Sequence, residues 1–292
     1  MNIRCKRVYA DLHTHLRTGC IPKDWDFDKV IDAAYKRLGP GGILGLCNCK
    51  DNRYERFANL RTGSKGYARI DCGFAVYVPQ KDIWIIKGQE VNTSEGEVLV
   101  LGLKAGNHIK EGLSLIETLY DAKFRSDDTI SIIVHPFWKD GAGKGFDKLL
   151  NAVPKAELEK LVDGFEVFDA NASFYVPFLI EKNANEKAIT YYNRKIITAG
   201  LDIGAVMSSD NHSLRGIGKG YTTLWMFESF EGYDFITSLR DAIKMHKNLE
   251  GNMTNNWAGA LRHAVASYGY YGPARVKNWL KERRELEERF AA

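Results

Sequence analysis

Short β-branched, apolar runs alternate with longer amphipathic stretches along most of the chain. This alternation is typical of βαβ units, in which helices cover a sheet of largely parallel strands, so it predicts an α/β fold. Asp26 or Asp28 is expected to cap the first helix, and Gly200 to end the last helix before the final inner strand. The predicted strands are 7–12, 42–47, 82–91, 97–103, 129–135, 163–168 and 205–209, and the predicted helices are 26–38, 113–124 and 177–195.

Composition narrows the class of protein. With 292 residues and 45% apolar side chains, the chain can bury one large α/β core or two ordinary ones. It has no apolar run of membrane-spanning length, and its start turns polar too early for a secretory signal, so we expect a cytoplasmic protein with no membrane partner. Five cysteines argue against a complete disulfide framework. A net charge of +4 fits an anionic substrate without requiring nucleic acid.

Side chains of the kind that bind metals follow several predicted strands. The carboxyl ends of strands in a parallel barrel form one rim, so these side chains are expected to converge there. His13 and His15 are two residues apart on an extended segment, which puts both imidazoles on one side. Each residue has an alternative as a hydrogen-bonded core position, but their joint occurrence at strand ends favours a metal site. The set is His13, His15, Glu90, His135, Asp210 and His212.

Four motifs occur in an order that points to a known family. DLHTH, GQEVN, IIVHPF and SSDNHS, together with GFEVFDANASF, resemble the polymerase and histidinol phosphatase (PHP) family. The resemblance runs from about residue 7 to about residue 225. It implies a distorted (β/α)7 TIM-like barrel with its metal site at the C-terminal ends of the strands. It also implies one to three divalent ions (Zn, Mn or Fe) and hydrolysis of phosphate esters.

The resemblance assigns candidate ligands to two metal positions. The first position would use His13, His15, Glu90 and Asp210. Glu90 would bridge to a second position, where His135 is a further ligand. Leu99 stands where the family commonly has another histidine, so a water or a nearby side chain is left to complete this position.

The third metal position departs further from the family pattern. Cys20 and Cys49 stand where the family has other ligand types, and His212 would be the third ligand. Two thiolates and an imidazole form a donor set that suits zinc. The alternative is that both cysteines are ordinary buried thiols.

The resemblance also implies hydrolysis by a metal-activated water, with Asp210 or His212 handling the proton. Arg17 and Arg215 lie close in sequence to candidate ligands, which makes them the candidate partners of the substrate phosphate. Glu166 ends a strand at the same rim and is expected to orient a ligand or a substrate group.

Three classes of function remain open at this stage. The first is a phosphatase or phosphodiesterase acting on a small phosphorylated metabolite or nucleotide. The second is a nuclease acting at DNA or RNA ends, because the predicted insertion or flap at 50–72 interleaves basic and aromatic residues. The third is a non-catalytic metal-binding regulatory domain. The expected domains are a barrel at 1–250 and a packed helical extension at 251–292.

Overall fold

The computed structural model describes residues 5–16, 26–49, 52–138, 140–171, 184–227 and 234–254. Within these ranges one sheet curves into a nearly closed barrel flanked by helices. The strands are β1 (Cys5–Thr14), β2 (Ile43–Asn48), β3 (Ile70–Asp71), β4 (Ala75–Val78), β5 (Ile83–Thr93), β6 (Gly96–Leu101), β7 (Ile130–Ile133), β8 (Gly164–Asp169), β9 (Gly204–Ser208), β10 (Gly220–Phe227) and β11 (Gly251–Met253). The helices are α1 (Phe27–Leu38), α2 (Arg53–Ala58), α3 (Leu115–Arg125), α4 (Gly143–Ala152), α5 (Lys155–Leu161), α6 (Ala184–Tyr191) and α7 (Phe235–Met245).

The order of strands around the barrel is β11-β10-β1-β2-β5-β6-β7-β8-β9. Strands β1, β2 and β5 are parallel to one another, and so are β7, β8 and β9. The predicted distorted TIM-like barrel is therefore confirmed, and all the predicted strands are present. Strand β6 departs from the parallel arrangement, because it is antiparallel to both β5 and β7.

The barrel closes where β9 meets β1 and β10. The Thr222 hydroxyl of β10 accepts from the Met207 backbone N at 2.8 Å and donates to the Met207 carbonyl at 3.0 Å. Just beyond the strands, Thr14 forms an isolated parallel bridge with Asn211. These contacts fix the end of β1 beside the end of β9. Apolar side chains, among them Leu12 and Leu99, fill the barrel interior beneath these strand ends. The barrel is therefore a packed core with a polar rim.

Helix boundaries follow from local chemistry. Asp26 caps α1, because its carboxylate accepts from the Lys29 backbone N at 2.9 Å. Helix α6 continues as a short π-helix, Tyr192–Ile197, and Gly200 then adopts φ 60°, a value that glycine tolerates. The predicted cap at Asp26 and the predicted stop at Gly200 are both confirmed.

The segment predicted as an insertion or flap packs on the barrel wall over its described part, residues 52–72. Tyr54 and Phe57 of α2 are buried, and the Phe57 ring stacks on Phe27 of α1 with centroids 5.2 Å apart. A buried Lys87 Nζ lies 2.7 Å from a Glu55 carboxylate oxygen, which ties α2 to β5. These contacts hold the start of α2 at the rim.

The start of the predicted C-terminal extension belongs to the sheet. Gly251–Met253 form β11, which pairs with β10. Residues 255–292, where a helical extension was predicted, lie outside the described residues. Among the described helices, none has the length and the apolar character needed to cross a bilayer.

Candidate metal centre

Two imidazoles meet at the end of β1. The Nε2 atoms of His13 and His15 lie 2.9 Å apart, and both side chains are almost fully buried. The Nδ1 atoms of His13 and His15 each lie 3.3 Å from an acceptor, a Glu166 oxygen and the Cys47 carbonyl, so each neutral ring carries its hydrogen on Nδ1. Both Nε2 atoms then present lone pairs to each other, which a proton or a cation must separate. The pair is therefore built to hold a positively charged species.

Glu90, near the end of β5, faces three imidazoles at once. Its carboxylate oxygens lie 3.3 Å from His13 Nε2, 3.2 Å from His15 Nε2 and 2.9 Å from His135 Nε2. Burial alone would raise the pKa of Glu90, but the neighbouring histidines outweigh it and hold that pKa well below its usual range. Glu90 is thus a buried carboxylate at the centre of the site.

Asp210, which follows β9, completes the arrangement. Its Oδ1 atom lies 3.5 Å from His15 Nε2 and 3.9 Å from His13 Nε2. Burial, and next the charge of Asp169, raise the pKa of Asp210 well above its usual range. The structure therefore brings together the residues that the sequence analysis assigned to the first metal position.

The donor atoms form two overlapping groups in the described part of the chain. One contains His13, His15 and Asp210, and the other contains His13, Glu90 and His135. Within each group the candidate ligand atoms all lie within 4.8 Å of one another. Imidazole nitrogen with carboxylate oxygen is a donor set that zinc, manganese and iron accept. The residues present therefore fit a divalent metal ion.

Two of these residues have strained backbones. His135 has φ 27° and Asp210 has φ 41°, in the left-handed region that residues other than glycine rarely adopt. Asn171 Nδ2 donates to the Asp210 carbonyl, and Trp138 N donates to the His135 carbonyl at 2.8 Å. Such strain persists only where the surrounding structure enforces it, and it is concentrated at functional sites.

Glu166 of β8 lies beneath the candidate ligands. One of its oxygens lies 3.3 Å from His13 Nδ1 and accepts from the Ser208 hydroxyl, and the other accepts from the His135 backbone N. Glu166 therefore contacts His13 from the side opposite Glu90. Its position suits the orienting role that the sequence analysis predicted.

Asp11 performs a related task for the loop after β9. Its carboxylate accepts from the Ser209 backbone N at 3.0 Å, from the Ser209 hydroxyl at 2.6 Å and from the Gly218 backbone N at 2.8 Å. Asp11 is fully buried, so these bonds replace the water that a carboxylate normally binds. They fix the segment that carries Asp210.

Glu97 is the rim residue that sequence reasoning missed. Its Oε2 atom lies 3.6 Å from His135 Nε2. Burial, and next the charge of Glu90, raise the pKa of Glu97 to about 7. Leu99, at the position compared with the family histidine, is buried in the barrel interior, where its Cα pairs with that of Glu90. The two-residue turn between β5 and β6 is the sequence signal that could have revealed Glu97. So short a turn forces an antiparallel hairpin, which places the start of β6 at the rim.

The proposed third position is only partly described, because Cys20 lies outside the described residues. Arg17, a candidate partner of the substrate phosphate, also lies outside them. Cys49 is half-buried, and burial followed by the charge of Glu90 raises the pKa of its thiol to about 12. The His212 ring centroid lies 5.2 Å from that of His15. The groups of three ligands found in the described part of the chain include none of Cys49, His212 and Glu97.

One cation reaches the rim from α2. Arg53 Nη1 lies 3.5 Å from the His15 carbonyl oxygen, and its charge contributes to a lowered pKa of His15, after the larger effect of burial. Arg215 lies on a short 3₁₀ turn, Leu214–Gly216, and is exposed. Arg53 is thus the described arginine with a direct contact to a candidate ligand residue.

No family model and none of the curated proteins matches the chain. Among solved structures, it is similar to the lesion-specific endonuclease PfuEndoQ from Pyrococcus furiosus, with 18% identity and a TM-score of 0.52 over 82% of this chain and 56% of that chain. A structure of Endonuclease Q in complex with a 27-mer duplex substrate, with an abasic lesion at the active site, has 16% identity and a TM-score of 0.50 over 82% and 57%.

The chain is also similar to PsfC from Pseudomonas syringae PB-5123, with 17% identity and a TM-score of 0.51 over 92% of this chain and 99% of that one. It therefore spans a little over half the length of Endonuclease Q and nearly the whole of PsfC. At these identities the likeness shows that the three proteins share a fold.

Proposed function

We propose that this protein is a metal-dependent phosphoesterase of the PHP type, acting on a small phosphorylated metabolite or nucleotide. The observation that carries the proposal is the buried Glu90 carboxylate, which lies within 3.3 Å of the Nε2 atoms of three histidines. Buried ionisable groups from separate strands meet at one rim of a barrel, where enzymes of this architecture place their active sites.

His13, His15, Glu90 and Asp210 would hold one divalent cation, and Glu90 and His135 would contribute to a second position beside it. A bound divalent ion supplies positive charge that neutralises a phosphate ester and makes water a stronger acid. Zinc, manganese and iron all fit the nitrogen and oxygen donors.

His212 is the residue we assign to proton transfer. Its Nδ1 atom lies 3.1 Å from the Asp210 carbonyl oxygen, which can only accept, so Nδ1 carries the hydrogen in the neutral ring. That tautomer leaves Nε2 as the nitrogen that takes up a proton. His212 is half-buried at the outer edge of the site, where a substrate oxygen can reach it. Asp210 is the alternative for this role.

The substrate phosphate also needs cations supplied by the chain. Arg53 is our first choice among the described residues, because its guanidinium contacts the His15 carbonyl oxygen at the rim. Arg17 and Arg215 remain candidates from their positions next to the ligand motifs. A planar guanidinium binds two phosphate oxygens at once, which fixes the orientation of the ester.

The test is a substrate panel with defined metals. Metal-free protein would be loaded with Mn²⁺, Zn²⁺, Mg²⁺ or Fe²⁺ and assayed on aryl phosphate mono- and diesters, cyclic and dinucleotides and short oligonucleotides. We expect release of phosphate or alcohol from at least one small ester, and loss of that activity with a chelator. If the metal-loaded protein hydrolyses nothing, the non-catalytic regulatory function replaces this proposal.

A nuclease is the second candidate, and one observation favours it. Endonuclease Q shares the fold, and one of its structures holds a DNA duplex. Arg56 and Arg61 are exposed on the segment that also carries Arg53. Tyr54 and Phe57, however, are buried and are not available to stack on bases. Oligonucleotide binding that weakens steeply with salt and is lost in an Arg56→Ala, Arg61→Ala variant would favour the nuclease.

We further propose that Cys20, Cys49 and His212 form a third, zinc-selective position; with zinc bound there, His212 would be a ligand and proton transfer would fall to Asp210. The test is X-ray absorption on zinc-loaded protein, where a zinc–sulfur distance near ~2.3 Å is expected. Cys20→Ser and Cys49→Ser should each lose about one zinc equivalent while the first position stays loaded. Thiols that react freely in the zinc-loaded protein would show that the pair is ordinary packing.

A further inference from the structure

The barrel rim contains a carboxylate that neither the family resemblance nor the first metal position accounts for. Glu97 is the second residue of β6, with its side chain largely buried and its Oε2 atom 3.6 Å from His135 Nε2. His135 Nε2 in turn lies 2.9 Å from Glu90. His135 therefore lies within reach of two glutamates that come from neighbouring strands.

We propose that Glu97 is a ligand of the second metal position, together with Glu90 and His135, and that it narrows the preference of this position for zinc over manganese. The inference rests on the proposed function, because it assumes that Glu90 is shared with a first metal ion. The Glu97 carboxylate would take the place of the histidine that the family commonly has at the position of Leu99.

The geometry of the hairpin supports this replacement. Leu99 and Glu97 are two residues apart on β6, so their side chains point to the same face of the sheet. Leu99 pairs with Glu90 and fills the interior, whereas Glu97 pairs with Asn92, one step nearer to the rim. Leu99 offers no metal ligand, but Glu97, the next inward-facing residue toward the rim, does.

The chemistry of the donors supports this narrower preference. Glu90 and Glu97 supply carboxylate oxygens and His135 supplies one nitrogen, so oxygen outnumbers nitrogen at this position. Oxygen-rich sites suit manganese and magnesium, whereas imidazole-rich sites suit zinc. A cavity of about 470 Å³, lined by Glu97, Asp140 and Gly141 among others, gives solvent access to Glu97.

The experiment measures metal binding rather than turnover. Metal-free wild-type protein and the variants Glu97→Gln and Glu97→His would be titrated with Mn²⁺ and with Zn²⁺, followed by calorimetry and elemental analysis. Electron paramagnetic resonance would report the exchange coupling that two neighbouring Mn²⁺ ions produce. We expect two coupled Mn²⁺ ions in the wild type, and binding of the second ion weakened at least about tenfold in Glu97→Gln.

Glu97→His restores a ligand and should therefore recover the second ion, with a larger ratio of zinc to manganese affinity than in the wild type. Asp140→Asn is the matched control for charge alone. Asp140 is exposed in the same cavity, and its backbone carbonyl accepts from the Glu97 N–H. This control should keep the coupled signal and the wild-type affinity within about twofold. Thermal unfolding of every variant would identify any that fails to fold.

Equal affinity for the second ion in wild type and Glu97→Gln would overturn the proposal, and so would equal losses in Glu97→Gln and Asp140→Asn. In both cases the phosphoesterase function would stand if the first ion still supports hydrolysis. Conversely, a second ion that depends on Glu97, in a protein that hydrolyses no ester, would refute the proposed function and leave the ligand assignment intact.

Discussion

The Glu166 carboxylate lies 3.3 Å from His13 Nδ1, on the side of the imidazole away from Glu90. A carboxylate in this position fixes the tautomer and the orientation of a metal-binding histidine. Because a second oxygen of Glu166 accepts from the His135 backbone N, one side chain positions two candidate ligands.

Replacing Glu166 with glutamine should therefore weaken metal binding by about 10–100-fold without removing any ligand. The reason is that a glutamine has one neutral acceptor oxygen, whereas the Glu166 carboxylate has two charged ones. The amide therefore cannot accept from His13 and from the Ser208 hydroxyl as strongly as the carboxylate does. Metal affinity from calorimetry is the measurement. Glu157→Gln, on α5 and outside the groups of candidate ligands, is the control and should bind metal like the wild type.

His13→Ala and Asp210→Ala should each lower both the metal content and the activity of the purified protein. Each variant removes a donor from the group of His13, His15 and Asp210. Elemental analysis after gel filtration, with hydrolysis of an aryl phosphate in parallel, checks the prediction. His108→Ala removes an exposed histidine and should change neither value. Full metal retention in both ligand variants would refute the assignment of the first position.

Arg53→Ala should raise the KM for phosphate esters by about tenfold or more, while Arg53→Lys should recover part of the loss. The expectation follows from the loss of a charged hydrogen bond to phosphate, which contributes roughly 1.5–3 kcal/mol. Steady-state kinetics on one small ester gives the numbers. Arg61→Ala, an exposed change on the same segment, serves as the control. An unchanged KM in Arg53→Ala would transfer the role to Arg17 or Arg215.

Glu55→Gln should lower the free energy of unfolding by about 3 kcal/mol at pH 7, because it leaves the buried Lys87 ammonium without its carboxylate. Burial tends to raise the pKa of Glu55, but Lys87 and Asn48 lower it to about 2. A depressed carboxyl pKa stabilises the fold above the unfolded value near 4.5 and loses that contribution as the pH falls toward 2.

The difference in free energy of unfolding between wild type and Glu55→Gln should therefore have its largest value at pH 7. It should shrink as the pH falls from about 4.5 to about 2. Urea denaturation at pH 7, 5 and 3 measures it. Double replacement with Lys87→Met should be less destabilising than Glu55→Gln alone, because it removes the unpaired charge. A pH-independent difference would mean that the pair contributes through packing only.

The strands that build the site could be predicted because each is a β-branched run bounded by turn residues. The ligand constellation followed from the position of histidines and carboxylates directly after those runs. Strand β10 was not predicted, because the chain reaches it from β9 through a short 3₁₀ turn instead of a helix. Phe57 is buried against Phe27 of α1, which lies outside the 50–72 segment, so the composition of that segment alone suggested nucleic-acid binding instead.

Glu97 escaped prediction for a more specific reason. The rule that ligands lie at strand carboxyl ends applies to parallel strands, and β6 is antiparallel to its neighbours. The end of β6 that lies at the rim is its start, Gly96 and Glu97. A search for ligands at the carboxyl end of this strand therefore looks at the wrong end. Local periodicity does not reveal strand direction, which only the length of the preceding turn indicates.

The β5–β6 hairpin also limits how this protein can diversify. Gly96 has φ 118°, and a Cβ atom there would lie 2.5 Å from Ala142 N, so the turn tolerates neither another residue type nor an easy change of path. Inserting or deleting one residue would shift the pairing and turn Glu97 from the inner face to the outer face. A change of length in a loop that joins a strand to a helix shifts no strand pairing. New substrate preferences in descendants of this chain should therefore arise in those loops, while the seven-residue interval from Glu90 to Glu97 stays constant.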